Sequence, residues 1–131
     1  MRRGFSLLEV LIVIGVVSIL TAIAAFGWSN YRSSLTVDQA ARQAVQAFNE
    51  ARSDARRVSE DQTVSWDASS FNGIQLPDTV TLEPAEGAVT YTAPYGRTDI
   101  EEEALELTFE DAKGKSKSVL IYGVTGKVAS N

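Results

Sequence analysis

Apolar residues near the start of the chain form one long run. From Val10 to Trp28 there are nineteen successive residues without a charge. At about 1.5 Å per residue, a helix of that length extends roughly 28 Å, which nearly spans a hydrocarbon core of about 30 Å. The run is apolar on every face, and at this length that pattern is typical of a membrane span. We therefore predict a membrane-spanning helix over residues 5–31.

The following segment keeps the helical period but becomes amphipathic. Over residues 35–60, apolar side chains recur at intervals of three and four, and no proline occurs before Pro77. This spacing predicts a helix that continues beyond the membrane and carries one apolar stripe. Three oppositely charged pairs lie four residues apart and are predicted to form ion pairs: Asp38–Arg42, Arg56–Glu60 and Arg57–Asp61. The stripe consists of Val37, Ala40, Ala41, Ala44, Val45, Phe48, Ala51, Ala55 and Val58.

After Asp61 the period changes from helical to alternating. Apolar residues then alternate with threonine, serine and glutamate, which predicts β-strands that are buried on one face. Turn residues punctuate these segments, as in Asn72-Gly73 and Lys113-Gly114. Segments 104–109 and 118–122 are predicted to form a hairpin. The remaining predicted strands centre on Val64 and Trp66, on Val80 and Leu82, and on Val89 and Tyr91.

The order of these elements predicts the fold class. One long helix followed only by strands indicates an α+β protein in which the apolar stripe of the helix packs on a C-terminal antiparallel β-sheet. Residues 32–131 would then form a globular α+β head, composed of the amphipathic helix 35–60 and the strands of residues 62–131. The chain of 131 residues is long enough for one such domain and an anchor.

Composition narrows the functional classes. The chain has neither cysteine nor histidine, so it offers no disulfide, no thiolate metal ligand and no imidazole for acid–base chemistry. Its serine and threonine residues show no nucleophile arrangement, and no phosphate-binding glycine motif is present. We therefore expect that the protein is not an enzyme and holds no metal or cofactor.

The apolar run is open to three interpretations. It is a cleaved secretory signal if the small residues Ala22-Ile23-Ala24 mark a cleavage site. It is alternatively a plain single-pass anchor. Glu9 favours a third interpretation, because a carboxylate at the edge of the hydrocarbon usually marks a partner. No basic residue lies between Arg3 and Arg32, so the cation for Glu9 would come from another molecule.

The residues around Glu9 resemble a known family. Gly4-Phe5-Ser6-Leu7-Leu8-Glu9, with Val10-Leu11-Ile12-Val13-Ile14 after it, is similar to the leader and first helical turn of type IV prepilins and type II secretion pseudopilins. The resemblance implies that residues 1–4 are a cleaved leader peptide. A prepilin peptidase would cut between Gly4 and Phe5, and the new amine of Phe5 would be methylated.

The resemblance also implies a mode of assembly, partners and a location. Glu9 would meet the Phe5 amine of a neighbouring pilin or pseudopilin, and residues 5–31 would become the filament core after leaving the lipid. The inner-membrane assembly platform would be a further partner. Arg2 and Arg3 place the N-terminus in the cytoplasm, so the head would face the periplasm or the outside of a bacterial inner membrane.

Two segments of the head resemble the H-type branch of the family, which is GspH/FimT-like. They are Val89 to Arg97, a strand with a proline–glycine turn, and Tyr122 to Val128, a glycine turn between strands. Some FimT-like proteins contact DNA through a basic tail. Here residues 126–131 carry only one positive charge, so DNA has little support as a partner. The resemblance therefore implies a minor pilin or pseudopilin, which serves a type IV pilus, type II secretion or DNA uptake.

Two charged clusters allow functional alternatives. Arg52, Arg56 and Arg57 would form a DNA-binding patch, but neighbouring acids favour a solvated helix face. The acidic segment 99–103 would offer oxygen ligands to calcium, but it lacks the spacing of a calcium loop and is interpreted as a hydrated loop. The alternative function for the whole chain is a secreted or membrane-anchored binding or adhesive domain, carried by an ordinary signal or anchor segment.

Overall fold

The computed structural model of the chain describes residues 6–123 and 125–131. It contains one α-helix, α1 (Leu7–Val58), followed by strands. The chain divides into two compact units, Met1–Arg32 and Ser33–Asn131, which we call the first unit and the second unit. This element order confirms the predicted α+β class. The strands are β1 (Gln62–Trp66), β2 (Ser70–Phe71), β3 (Ile74–Gln75), β4 (Val80–Glu83), β5 (Gly87–Thr92), β6 (Arg97–Thr98), β7 (Ala104–Asp111), β8 (Ser116–Tyr122) and β9 (Val128–Ser130).

Local interactions determine where α1 begins and ends. Ser6 caps the first turn, because its side-chain oxygen and its carbonyl both accept hydrogen bonds from the backbone N–H of Glu9, at 3.3 and 3.0 Å. At the other end, Ser59 adopts a left-handed conformation with φ of 59°, which takes the chain out of the helix. The helix thus ends at Val58, and the side chain of Val58 is exposed rather than part of the buried stripe.

The strands form two antiparallel sheets rather than the single sheet that the alternation suggested. One sheet has the order β3-β2-β1-β5-β6 and the other has the order β4-β7-β8-β9. The register pairs Val64 with Val89 in the first sheet and Leu107 with Val119 in the second. The predicted hairpin is present as β7 and β8. Asn72 and Gly73 both have positive φ and connect β2 to β3, as an Asn-Gly hairpin turn requires.

The core of the second unit joins α1 to both sheets. Val37, Ala40, Ala41, Ala44, Phe48 and Ala55 of the helix are buried, which confirms most of the predicted stripe. Phe48 packs edge-on against Phe71 of the first sheet, with ring centroids 5.4 Å apart, and Phe71 lies 6.3 Å from Phe109 of the second. Small alanines on the helix let the sheets approach closely, while the aromatic rings fill the space between them.

An ion-pair network also ties α1 to the second sheet. Asp38 accepts from Arg42 Nε at 2.6 Å, as its spacing predicted, and from Lys117 Nζ of β8 at 2.7 Å. The hydrogen bonds from Lys117 and then from Arg42 lower the pKa of Asp38 below its ordinary value. Because these side chains remain partly exposed, the network orients the helix more than it stabilises the fold.

Candidate functional site

The candidate assembly site lies in the first turn of α1. Glu9 belongs to that turn and its side chain is exposed. Gly4 and Phe5, the predicted cleavage and methylation residues, lie outside the described residues. Within residues 6–123 and 125–131, none of the ion pairs involves Glu9. The pairing of Glu9 with a neighbouring subunit therefore stays a prediction.

Ser6 and Glu9 have a second relationship that our sequence analysis missed. They are three residues apart at the start of a helix, which is the spacing of a capping box. The observed bond from Glu9 N–H to Ser6 Oγ is one half of that motif. A negative charge in the first turn also interacts favourably with the helix dipole. The pattern Ser-x-x-Glu before an apolar run is the sequence signal that would have predicted this capping role of Ser6 and Glu9.

The apolar side chains after Glu9 are exposed. Fifteen large apolar side chains from Leu7 to Tyr31 are exposed, among them Leu7, Phe26 and Trp28 at 82%, 78% and 68% exposure. The segment includes an 18-residue window of mean hydropathy 2.7, none of which is buried. By length and composition, α1 is therefore able to cross a membrane.

Polar groups inside this apolar segment are satisfied by the helix itself. Ser18 Oγ donates to the carbonyl of Ile14, and Thr21 Oγ1 donates to the carbonyl of Val17, each at 2.8 Å. A hydroxyl without a partner is costly in hydrocarbon, and these local bonds remove that cost. The hydroxyl groups of Ser18 and Thr21 are thus compatible with a lipid environment.

The two glycine turns that resembled the H-type branch meet in the second unit. Gly96 lies in the turn between β5 and β6, and Gly126 lies between β8 and β9; their φ angles are 63° and 60°. A Cβ on Gly126 would lie 2.8 Å from the carbonyl oxygen of Gly96 and 2.8 Å from the ring of Tyr91. These distances are too short for any side chain, so glycine is required where the turns touch.

Tyr91 lies beneath this junction. It is fully buried, and its hydroxyl donates to the carbonyl of Gly126 at 3.4 Å. Burial raises the pKa of the Tyr91 phenol to about 12, so the group stays neutral at physiological pH. The alternating pattern predicted that Tyr91 lies on a strand. The junction explains why the residue is aromatic and also carries a polar hydroxyl.

The acidic segment 99–103 is tied to the backbone around it. Asp99 accepts from the N–H of Thr90 at 3.0 Å, and the carbonyl of Glu103 accepts from the N–H of Gly123 at 3.1 Å. Over the residues that the structure describes, no three acidic side chains converge in a way that could hold a metal ion. The segment thus serves as a connection between β6 and β7.

The comparison with protein families matches the N-terminal part of the chain. Residues 1–25 match the family model described as the prokaryotic N-terminal methylation motif. Together with the long apolar helix, this motif indicates a type IV pilin-like or pseudopilin-like precursor with a membrane anchor. Comparisons with the curated proteins and with the solved structures gave no significant match.

Proposed function

We propose that the protein is a minor pilin or pseudopilin, a structural subunit that acts by assembly into a filament and not by catalysis. The observation that carries this proposal is the position of Glu9. An exposed carboxylate stands in the first turn of a helix whose following surface is apolar, inside the segment that matches the methylation motif. Such a group is costly in a helix bundle unless a cation meets it.

The cation that fits is the α-amine of Phe5 on a neighbouring subunit. Cleavage between Gly4 and Phe5 by a prepilin peptidase would create that amine, and methylation would keep it cationic. When subunits stagger along a common axis, the pair forms at one register only. Glu9 and the amine of Phe5 thereby set the register of the filament, and the exposed apolar side chains pack against neighbouring helices.

The same helix serves the subunit before assembly. Its apolar surface and its internally bonded hydroxyl groups suit a lipid environment. Arg2 and Arg3 favour a cytoplasmic N-terminus, so the head lies in the periplasm of a bacterial inner membrane until the assembly platform extracts the subunit. After assembly, the apolar helix forms the core of a pilus or pseudopilus and the head faces outwards.

The head supports a finer assignment to the H-type branch. The two glycine turns whose sequences resembled that branch are in contact, through Gly96 and Gly126. We therefore propose that the protein is a minor subunit of a type IV pilus or a type II secretion pseudopilus. A role in DNA uptake has less support, because the C-terminal turn and strand β9 carry only Lys127 as a basic residue.

A charge substitution at Glu9 tests the proposal. Glu9→Gln removes the charge but keeps a side chain that suits the capping box, so the helix should still form and insert. We expect Glu9→Gln to enter filaments at about one tenth of the wild-type level or less, because a buried cation would lose its partner. Quantitative immunoblots of sheared filaments and of membranes measure both quantities.

Glu50→Gln is the matched control, since Glu50 is an exposed acid on the same helix within the second unit. It should enter filaments at the wild-type level. Equal incorporation of the Glu9 and Glu50 variants would contradict the pairing. The competing function, a secreted or anchored binding domain, predicts a mature chain that begins at Ala25 or retains residues 1–4.

A further inference from the structure

The end of α1 and the β5–β6 turn form a basic pocket in the second unit. Its volume is about 420 Å³. Three of the six residues that line it are arginines, and none is acidic. We call it the arginine pocket, and its lining residues are Asn49, Arg52, Ser53, Arg56, Arg57 and Pro94.

The neighbouring acids neutralise only part of this charge. Arg57 donates to Asp54 at 3.1 Å and is compensated by it, so the predicted Arg57–Asp61 pair was wrong. Asp61 accepts from the N–H of Ala93 at 2.8 Å. Across the part of the chain that the structure describes, neither Arg52 nor Arg56 forms an ion pair, so the predicted Arg56–Glu60 pair was wrong. The balance between basic and acidic residues that the sequence suggested is therefore not achieved inside the pocket.

Arg52 carries a donor that needs an acceptor. Its Nε atom is shielded from solvent and has no hydrogen-bond partner among the described residues. A buried N–H without an acceptor is unfavourable, and more so when the group is charged. The same guanidinium lines the pocket, and the described residues leave its Nε–H unsatisfied. An oxyanion in the pocket would pair with this guanidinium, because a guanidinium donates two parallel hydrogen bonds to such a group.

The β5–β6 turn holds the arginine stems in place. A Cβ on Gly96 would lie 3.0 Å from the carbonyl oxygen of Arg52 and 3.1 Å from Cγ of both Arg52 and Arg56. The turn therefore lies directly on the side chains that line the pocket. Contact with the turn restricts the rotamers of both stems, which lowers the entropy that a ligand would have to remove.

We propose that the arginine pocket binds a small oxyanion of the phosphate class that carries at least two negative charges. Arg52 and Arg56 supply uncompensated guanidinium groups, and Asn49 and Ser53 supply neutral donors around them. Arg56 and Arg57 also lie in the last turn of α1, where positive charge offsets the helix dipole. Arg52 lies one turn earlier, so the dipole does not explain it. The inference is independent of the proposed filament role.

Titration of the full chain in detergent micelles tests the inference. Orthophosphate, pyrophosphate and malonate are added at constant ionic strength, and the Nε–H resonance of Arg52 is followed by NMR. We expect a saturable shift for both phosphates, with pyrophosphate binding about tenfold more tightly, the equivalent of ~1.4 kcal/mol. Absence of a saturable shift, or tighter binding of malonate, would overturn the proposal.

Variants locate the binding by calorimetry with pyrophosphate. Arg52→Gln and Arg56→Gln should each weaken binding about tenfold, since each loses a charge-assisted hydrogen bond. Arg42→Gln removes the same charge from an exposed position that does not line the pocket and should change binding less than about twofold. Arg56 is exposed, so its variant remains informative if Arg52→Gln unfolds. Equal weakening in all three variants, or in none, would show that the pocket is not the site.

Discussion

The two units of the chain use apolar side chains in opposite ways. In the second unit, the core residues of α1 and of both sheets are buried, and Phe48 is fully covered. In the first unit, side chains of the same types are exposed, and Phe26 is 78% exposed. The second unit therefore has its own hydrophobic core, while the first unit carries an exposed apolar surface that is unfavourable in water.

Polar groups differ between the two units in the same way. In the first unit, Ser18 and Thr21 bond to carbonyls of their own helix. In the second unit, side chains bond across elements, as Lys117 does with Asp38. The first unit thus suits an apolar environment, and the second unit is stabilised by contacts among its own residues.

Identical substitutions in the two units should give the largest contrast. Phe48→Ala removes a fully buried ring and should destabilise the second unit by about 3–5 kcal/mol. Phe26→Ala removes an exposed ring and should change that stability by less than about 0.5 kcal/mol. Thermal unfolding of the full chain in detergent, followed by the fluorescence of Trp66 in a Trp28→Phe background, measures both. Equal effects of the two substitutions would contradict the division that we describe.

Introducing a lysine into each unit should give the next largest difference, in this case in membrane insertion. Val16 and Val58 have the same exposure, 51%, but only Val16 lies within the apolar segment. Val16→Lys should disfavour membrane insertion by about 2.5–3.5 kcal/mol, while Val58→Lys should leave insertion unchanged. The inserted fraction in isolated membranes reports the difference. If both variants insert like the wild type, the segment does not face hydrocarbon.

The smallest effect concerns acid stability of the second unit. Hydrogen bonds from the hydroxyl of Ser70 and from the backbone and hydroxyl of Ser69 lower the pKa of Asp67 to about 2. Because its pKa is lower in the folded state, Asp67 stabilises that state at pH values above the ordinary aspartate pKa near 4. This contribution is lost as the pH falls towards 2.

Asp67→Asn should remove that dependence with only a small loss of stability at pH 7. Unfolding midpoints at pH 7, 4 and 2 would then fall less steeply for Asp67→Asn than for the wild type. Glu101→Gln, an exposed acidic residue in the connection between β6 and β7, is the control and should keep the wild-type slope. Parallel slopes for the wild type and both variants would contradict the role of Asp67.

Local patterns predicted the elements better than their arrangement. Alternation identified β1, since Val64 and Trp66 are buried and Ser65 is exposed. The same signal could not separate two sheets, because strand pairing depends on contacts between distant residues. Strands of two residues, such as β2 and β3, are too short to show a period. Val58 matched the helical period, but it lies beyond Ala55, the last buried residue of the stripe, and it is exposed.

The two candidate sites also differed in how well the sequence predicted them. The charge of Glu9 within an apolar context was visible in the sequence, and its capping relation to Ser6 was available from spacing. The arginine pocket was not visible in the sequence. The sequence shows that acidic residues are near Arg52, but it does not show which hydrogen bonds they form. Asp61 illustrates the reason, since its carboxylate accepts from the backbone of a turn far along the chain.

The mass of the mature N-terminal peptide tests the central claim most directly. The protein is purified from membranes of cells that express the full chain with a prepilin peptidase, and its N-terminal peptide is sequenced by mass spectrometry. We predict a chain that begins at Phe5 and carries one methyl group on its amine, so that Glu9 has its partner. A mature chain that begins at Ala25 or retains residues 1–4 would contradict the account.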